Sequence, residues 1–163
     1  MKTVTLSELP AELRALFEAK GTATVGCELE SLEDTDRLGE VLQSALPDGT
    51  VVALCGTLGA GKTRLVEAVA KAAGVPTEAV TSPTFVLIQE YRSGCRPIFH
   101  FDVYRLRDED EFLQLGPEEY FDADGLTFIE WAEKVEDCLP KHHMTIRLTP
   151  TGATARSVEI QLQ

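Results

Sequence analysis

Residues 56–63 read Gly56-Thr57-Leu58-Gly59-Ala60-Gly61-Lys62-Thr63. This stretch matches the pattern G-x-x-x-x-G-K-[ST], in which a glycine-rich loop cradles phosphate groups. The flanking residues agree with the pattern. Residues 50–55 form a short apolar run with the length of a buried parallel strand, and residues 64–73 have the apolar spacing of a helix. A strand, a glycine-rich loop and a helix in this order predict a phosphate loop, and we expect all eight residues to contact a nucleotide.

Each residue type in the phosphate loop (residues 56–63) has a physical role. Glycines at 56, 59 and 61 permit backbone conformations closed to other residues and let the main chain approach a ligand. Successive N–H groups then form a concave nest, and the N-terminus of the following helix points at the same phosphates. Lys62 is expected to reach the β- and γ-phosphates, and the Thr63 hydroxyl is expected to bind Mg²⁺. The alternative is a glycine-rich turn that binds no ligand.

The composition indicates one soluble domain. A chain of 163 residues is long enough to bury a core. Without a membrane-length apolar run or a signal-peptide core, we expect a cytosolic location. The 27 acidic and 15 basic residues give a net charge of −12. Such a surface repels nucleic acid, so any role in RNA chemistry is expected to run through a partner. The four cysteines are far apart in sequence, which argues against zinc or disulfides.

The remaining segments alternate between strand and helix patterns. Apolar spacing predicts an amphipathic helix within residues 1–20, with Ser7 as a candidate cap. We favour packing of this helix on the domain over docking on a partner. Ser31 followed by Asp34 predicts the start of a helix that runs to about Leu46. Further strands are expected at 22–29, 86–91, 97–103, 126–129, 144–148 and 157–162. Of these, 86–91 and 97–103 are expected to form one antiparallel hairpin, and 144–148 and 157–162 a second one. Short helical stretches are expected within 108–121 and 132–138.

Hydrolysis of a nucleotide also needs a carboxylate near the metal. Ligands of open α/β sheets gather at the carboxyl ends of the strands, so such an acid is expected at a strand tip. Asp102 ends the apolar run 98–102, and Glu130 ends the run 126–130. One of the two carboxylates is expected to contact the metal directly and the other to act through water. The sequence alone does not decide which residue has which role. The alternative for each is a surface carboxylate at a strand end.

Three other features have both a functional and a structural interpretation. Ser82 and Thr84 follow the helix after the phosphate loop, and their hydroxyls could coordinate Mg²⁺ or sense the γ-phosphate, as switch loops do. The residues by themselves favour a simple turn there. Trp131 is more typical of a core or interface position than of a catalyst. His100 is interpreted as a packed strand residue.

Taken together, these segments resemble the TsaE family, the small bacterial ATPases of tRNA threonylcarbamoyladenosine biosynthesis. The resemblance covers roughly residues 28 to 162. A phosphate loop is shared by many families. Ser-Pro-Thr at 82–84, Asp-x-Tyr-Arg at 102–105 and Ile-Glu-Trp at 129–131, in this order, are specific.

The resemblance implies a fold and an activity. The fold is a three-layer α/β phosphate-loop NTPase domain with a mixed parallel and antiparallel sheet, over residues 28–163, preceded by an N-terminal extension, residues 1–27. The activity is Mg²⁺-dependent ATP hydrolysis that supports transfer of a threonylcarbamoyl group to the adenosine beside the anticodon of certain tRNAs. The ATPase does not perform the transfer. It binds the complex of the transferase subunit (TsaD) and its non-catalytic paralogue (TsaB), and hydrolysis resets that complex between turnovers.

The resemblance also implies roles for individual residues. Lys62 and Thr63 hold phosphate and Mg²⁺, and Glu130 is the carboxylate on the Mg²⁺ side. Asp102 supports the metal or a water molecule. Thr84 belongs to a switch-like loop that contacts the nucleotide.

The resemblance places Trp131 at the rim of the site. The chain also departs from the family pattern in two places. The family usually has Asp where Thr57 stands, so any role of that carboxylate is absent here or supplied elsewhere. Residues 1–27 extend beyond the usual start of the family.

Two other functions compete with this interpretation. A small nucleotide or metabolite kinase shares the phosphate loop, but it needs an acceptor pocket and usually a mobile lid with arginines. The arginines of this chain are scattered, with no arginine-rich insertion. A nucleotide-gated binding module with negligible turnover is the second alternative.

Overall fold

The computed structural model describes residues 1–19, 23–81, 83 and 85–163. Within these residues the chain forms one sheet of eight strands and five α-helices. The strands are β1 (Lys2–Thr3), β2 (Thr24–Leu29), β3 (Thr50–Cys55), β4 (Ile88–Tyr91), β5 (Ile98–Asp102), β6 (Leu126–Glu130), β7 (Met144–Pro150) and β8 (Arg156–Leu162). The helices are α1 (Leu9–Glu18), α2 (Leu32–Ala45), α3 (Lys62–Ala72), α4 (Glu109–Leu113) and α5 (Pro117–Phe121).

The sheet has the order β1-β2-β8-β7-β3-β6-β5-β4. Strand β3 is parallel to both of its neighbours, β6 and β7, and β5 is parallel to β6. The pairs β4–β5, β7–β8 and β2–β8 are antiparallel. The mixed sheet and both predicted hairpins are therefore confirmed. Because β3, β5 and β6 run in the same direction, their carboxyl ends meet at one edge of the sheet.

Helices cover the sheet on both faces and give the expected three-layer α/β architecture. On one face, Leu13 of α1, Leu38 of α2 and Leu65 of α3 are fully buried in one cluster with Leu54 and Phe128 of the sheet. Truncating such a leucine to alanine typically costs about 2–5 kcal/mol, so this face holds α3 firmly on the strands. Helix α1 thus packs on the domain.

The second face is covered by α4 and α5. Phe101 packs edge-to-face against Phe112, with ring centroids 5.9 Å apart, and against Tyr120 at 5.1 Å. Val51 and Ile129 belong to the same buried cluster. This packing fixes the strands that end at the phosphate loop and at the two predicted carboxylates.

The starts of α1 and α2 test the capping predictions. Ser31 caps α2, since its side chain accepts the N–H of Asp34 at 3.2 Å. The Ser7 cap is wrong, because α1 begins one residue later, after Glu8, and no side chain caps it. Thr5 orders this turn instead: its carbonyl accepts the N–H groups of Glu8 and Leu9, and its hydroxyl donates to the Glu8 carboxylate at 2.8 Å.

The N-terminal part of the chain joins the sheet. Strand β1 was not predicted; it is two residues long and pairs in parallel with Val25 and Gly26 of β2. Strand β2 was expected from residue 22, which lies outside the described residues, and it crosses the proposed boundary between residues 27 and 28. The division into an extension and a domain stays a prediction. In the described part of the chain, no helix is long and apolar enough to span a membrane.

Candidate active site

The phosphate loop joins β3 to α3 in the predicted order. Two of its glycines are required by geometry. Gly56 has a φ of 145°, and a Cβ there would lie 2.5 Å from the carbonyl oxygen of Leu148. Gly61 has a φ of 104°, in the region that L side chains rarely adopt. The loop therefore turns from strand to helix through positions that only glycine fills without strain.

Lys62 lies at the start of α3 and is only 4% exposed. Its ammonium donates to the carbonyls of Gly56 at 2.7 Å and Thr57 at 3.1 Å. It also lies 3.7 Å from the centroid of the Trp131 ring, a cation–π contact. Burial lowers the pKa of Lys62, and the carboxylate of Glu130 is the strongest of the nearby charges that act in the opposite direction.

The two predicted carboxylates lie side by side. Asp102 and Glu130 are directly paired across the parallel strands β5 and β6, and they are 6% and 3% exposed. Glu130 Oε1 accepts a hydrogen bond from the Thr63 hydroxyl at 2.7 Å. Asp102 Oδ1 accepts the backbone N–H of Tyr104 at 3.0 Å. A strand tip and the first turn of α3 thus bring a hydroxyl and a carboxylate into contact across 67 residues of sequence.

His100 is a second partner of Glu130 that the sequence did not indicate. Its Nε2 lies 2.7 Å from Glu130 Oε1, and the imidazole is fully buried. Because an ionised carboxylate only accepts hydrogen bonds, Nε2 carries the proton in this pair. The other ring nitrogen, Nδ1, is buried without a partner among the described residues. Strand alternation was the available signal, since residues 100 and 102 of β5 point to the same face of the sheet.

Trp131 follows Glu130 in an unusual backbone conformation. Its φ is 63°, one of two positive values among the described non-glycine residues. Its N–H donates to the carbonyl of Leu54 at 3.1 Å, and its ring packs against Tyr104 with centroids 4.8 Å apart. A left-handed backbone conformation at a bulky residue costs of order 1–3 kcal/mol, so it persists only where the surrounding structure holds it. Here the conformation places the indole over the Lys62 ammonium, at the rim of the site.

Arg156, at the start of β8, contacts the outer side of the phosphate loop. Its guanidinium donates to the carbonyls of Ala60 at 2.8 Å and Gly59 at 3.3 Å. Sequence reasoning missed this residue. No local pattern marks it, because the two segments lie more than 90 residues apart.

Lys62, Thr63, the two carboxylates and Trp131 surround one pocket of about 400 Å³. Its lining consists of residues 58–64 together with Asp102, Tyr104, Arg105, Glu130 and Trp131. Gly56 and Thr57 line a neighbouring depression that shares Trp131. Of the predicted nucleotide contacts, Thr84 lies outside the described residues, as does Ser82. The size and the mixture of apolar and charged groups are typical of small-ligand sites.

Comparisons with known proteins bear on the family of this chain. The family model "Threonylcarbamoyl adenosine biosynthesis protein TsaE" matches residues 29–158. A protein of Bacillus subtilis (strain 168) named "tRNA threonylcarbamoyladenosine biosynthesis protein TsaE" is 38% identical over 126 residues, covering 77% of this chain and 78% of that protein. Its namesake from Treponema pallidum (strain Nichols) is 41% identical over 134 residues, or 82% and 98% of the two chains.

A solved structure gives the same answer for the fold. The crystal structure of Bacillus subtilis YdiB superposes with a TM-score of 0.72 at 28% identity, and the match covers 88% of each chain. The resemblance found in the sequence is confirmed by these matches. The chain belongs to the TsaE family of threonylcarbamoyl adenosine biosynthesis proteins.

Proposed function

We propose that this protein is a Mg²⁺-dependent ATPase that supports tRNA threonylcarbamoyladenosine formation. Membership of the TsaE family ties the chain to that modification. The observation that carries the ATPase proposal is the contact of 2.7 Å between the Thr63 hydroxyl and Glu130 Oε1, beside Lys62. It joins the two halves that hydrolysis needs, a phosphate loop and a strand-tip carboxylate.

The donor set around Thr63 fits a magnesium ion. Mg²⁺ prefers oxygen ligands and is usually held by one or two protein groups together with the phosphates of a nucleotide. Thr63 Oγ1 and Glu130 Oε1 supply a hydroxyl and a carboxylate oxygen close together. Bound there, the ion would neutralise charge on the β- and γ-phosphates.

The other groups of the site bind the phosphates, orient water and cover the nucleotide. The loop N–H groups and the Lys62 ammonium bind the phosphates, and burial of Lys62 strengthens its attraction to them. Asp102, next to Glu130, orients the attacking water or a water ligand of the metal. Trp131 closes the rim, and Thr84 is proposed to report the γ-phosphate.

We further propose that hydrolysis occurs on the complex of TsaD and TsaB, in the cytoplasm. The net charge of −12 disfavours direct contact with tRNA, so the tRNA is held mainly by these partners. The chain then uses ATP to change the state of the complex, and the transfer chemistry belongs to TsaD.

Two variants test the proposal. Lys62→Ala is expected to abolish ATP hydrolysis, because it removes the cation that reaches the β- and γ-phosphates. Glu130→Gln is expected to lower single-turnover hydrolysis by at least about 100-fold while ATP binding stays within a few fold, because the amide cannot replace the charge beside the metal. Hydrolysis is measured alone and with purified TsaD and TsaB.

Matched controls are available on the surface. Lys71 is exposed on α3 and Glu118 is exposed on α5. The variants Lys71→Ala and Glu118→Gln are therefore expected to bind and hydrolyse ATP as the wild type does. Undiminished hydrolysis by Lys62→Ala would refute the ATPase assignment. ATP binding by the wild type without turnover, even with both partners, would instead establish a nucleotide-gated binding module.

A further inference from the structure

Arg156 connects two segments that are distant in sequence. On one side, its Nε donates to the carbonyl of Ala60 and its Nη2 to that of Gly59. On the other side, its Nη1 donates to the turn that joins β7 to β8, residues 151–155. Those bonds reach the carbonyls of Ala155 at 2.7 Å, Gly152 at 3.1 Å and Ala153 at 3.4 Å.

Among the described residues, the guanidinium bonds only to main-chain carbonyls. In the salt bridges of the described residues, Arg156 has no carboxylate partner. It is half-buried, and a Cβ at Gly61 would lie 3.7 Å from its Nε. Hydrogen bonds from a charged donor are roughly twice as strong as neutral ones, so the phosphate loop is braced from outside by a strong multidentate contact.

Because peptide units are planar, the contacts of Arg156 on the outside of the loop also affect where N–H groups point on the inside. In a trans peptide unit the C=O and the following N–H point in opposite directions. Holding the Ala60 carbonyl toward Arg156 therefore turns the N–H of Gly61 away from Arg156. The N–H of Ala60 donates to the carbonyl of Thr57 at 3.1 Å, so Gly61 is the residue whose N–H the Arg156 contact directs. Gly61, with a φ of 104°, has no side chain to fix the plane of its peptide unit.

We propose that Arg156 is a positioning residue of the phosphate loop, which orients the Ala60–Gly61 peptide unit so that the N–H of Gly61 faces the phosphates of the nucleotide. The inference rests on the proposed function, since it assumes that the loop binds a nucleotide. Preorganised donors bind more tightly because no ordering is needed on binding. Loop N–H groups hold the α- and β-phosphates, so the contribution is the same for ATP and ADP.

The test is calorimetric binding of Mg·ATP and Mg·ADP to wild type, Arg156→Ala and Arg156→Lys. Arg156→Ala is expected to weaken the binding of both nucleotides by about tenfold, which is typical for the loss of a charged hydrogen-bond donor. The titration should still show one binding site per chain. Millimolar guanidinium is expected to restore affinity in Arg156→Ala, and neutral urea of the same shape is not. Arg37→Ala, an exposed arginine on α2, serves as the charge-matched control and is expected to bind normally.

Other outcomes overturn the inference. A fall in the number of binding sites with unchanged affinity and no guanidinium rescue would mean a role in folding alone. A loss confined to ATP would mean direct contact with the γ-phosphate. If Arg156→Ala does not fold, Arg156→Lys decides: its compact head reaches one segment and not both, so intermediate affinity is expected and wild-type affinity refutes the brace. Failure of the wild type to bind either nucleotide would refute the proposed function itself.

Discussion

Glu130 Oε1 is shared by two donors of different kinds. The Thr63 hydroxyl comes from the phosphate loop, and the His100 imidazole comes from the neighbouring strand β5. The hydroxyl can rotate toward a metal, whereas the buried imidazole is held by the core. His100 therefore keeps the carboxylate at the strand tip in a fixed orientation, whichever partner Thr63 has.

This arrangement predicts a specific effect of His100→Phe. Phenylalanine fills a similar volume but has no N–H, so Glu130 loses the donor that orients it. We expect the Mg²⁺ concentration for half-maximal hydrolysis to rise about tenfold, the usual cost of losing an outer partner of a metal ligand. A Mg²⁺ titration of ATP hydrolysis measures this shift.

His100→Gln is the matched comparison for that prediction. Its side-chain amide keeps an N–H near the position of Nε2, so a smaller shift in Mg²⁺ requirement is expected than for His100→Phe. Equal Mg²⁺ requirements in the two variants and the wild type would contradict an orienting role. A change in thermal stability alone would leave His100 as a packing residue.

The sequence predicted the individual residues of the site unevenly. Lys62, Thr63, Asp102 and Glu130 were singled out because each lies in a recognisable local setting, either a glycine loop or the end of an apolar strand, and the structure brings the four around one pocket. The His100–Glu130 pair was missed because it joins different strands, and a one-dimensional pattern does not pair them. Arg156 was missed for the same reason, with a longer separation.

At the scale of elements, α2 and α3 pack at unusually close range. A Cβ at Gly39 of α2 would lie 2.6 Å from the Cβ of Ala68 and 2.9 Å from the backbone N of Val69. Only glycine at this position lets the two helices approach so closely. Since α3 begins with Lys62, this contact also sets where the phosphate loop ends.

We predict that Gly39→Ala destabilises the protein, although alanine is the better helix former. The gain in helix propensity is about 1 kcal/mol, whereas overpacking typically costs about 1–3 kcal/mol. Overpacking is expected to win, because the clash includes backbone atoms that cannot rotate away. Urea unfolding should show a net loss of roughly 1 kcal/mol or more.

Glu40→Ala provides the control for Gly39→Ala. Residue 40 is exposed on the same helix, so its replacement by alanine changes helix propensity without a clash, and we expect little change in stability. Wild-type or higher stability of Gly39→Ala would contradict the close packing of α2 on α3.

Elements were predicted well where their signals are contiguous. The order strand–loop–helix, the Ser31 cap and the two hairpins all rest on neighbouring residues. The errors lie where a tertiary contact or a competing local bond decides. Thr5 displaced Ser7 in ordering the start of α1, and β1 exists through its pairing with β2.

For the whole molecule, charge and burial act on different properties. The net charge of −12 bears on the proposed encounters with tRNA and with partners. The fold depends instead on two apolar clusters on opposite faces of the sheet. Two cysteines lie inside this folded interior, Cys27 on β2 and Cys55 on β3, and they are 2% and 5% exposed. Burial raises the pKa of each thiol from 9.0 to about 11.

These pKa shifts predict a loss of stability in alkaline solution. Between pH 9 and about 11 the unfolded thiols ionise while the folded ones keep their protons, so the unfolded state is favoured. The contribution of each buried thiol to the free energy of unfolding is complete below pH 9 and is lost as the pH rises toward 11. One unit of pKa shift corresponds to about 1.4 kcal/mol, so the two thiols together account for a few kcal/mol.

The measurement compares urea unfolding of wild type with that of the double variant Cys27→Ala/Cys55→Ala, from about pH 8 to about pH 10.5. The variant loses stability at every pH through its cavities, but its free energy of unfolding should fall less steeply as the pH rises. Lys62 has a lowered pKa and acts with the opposite sign; it is present in both proteins and cancels in the difference. Parallel pH profiles would mean that the folded state tolerates these thiolates, and that burial of the two strands is less complete than the packing indicates.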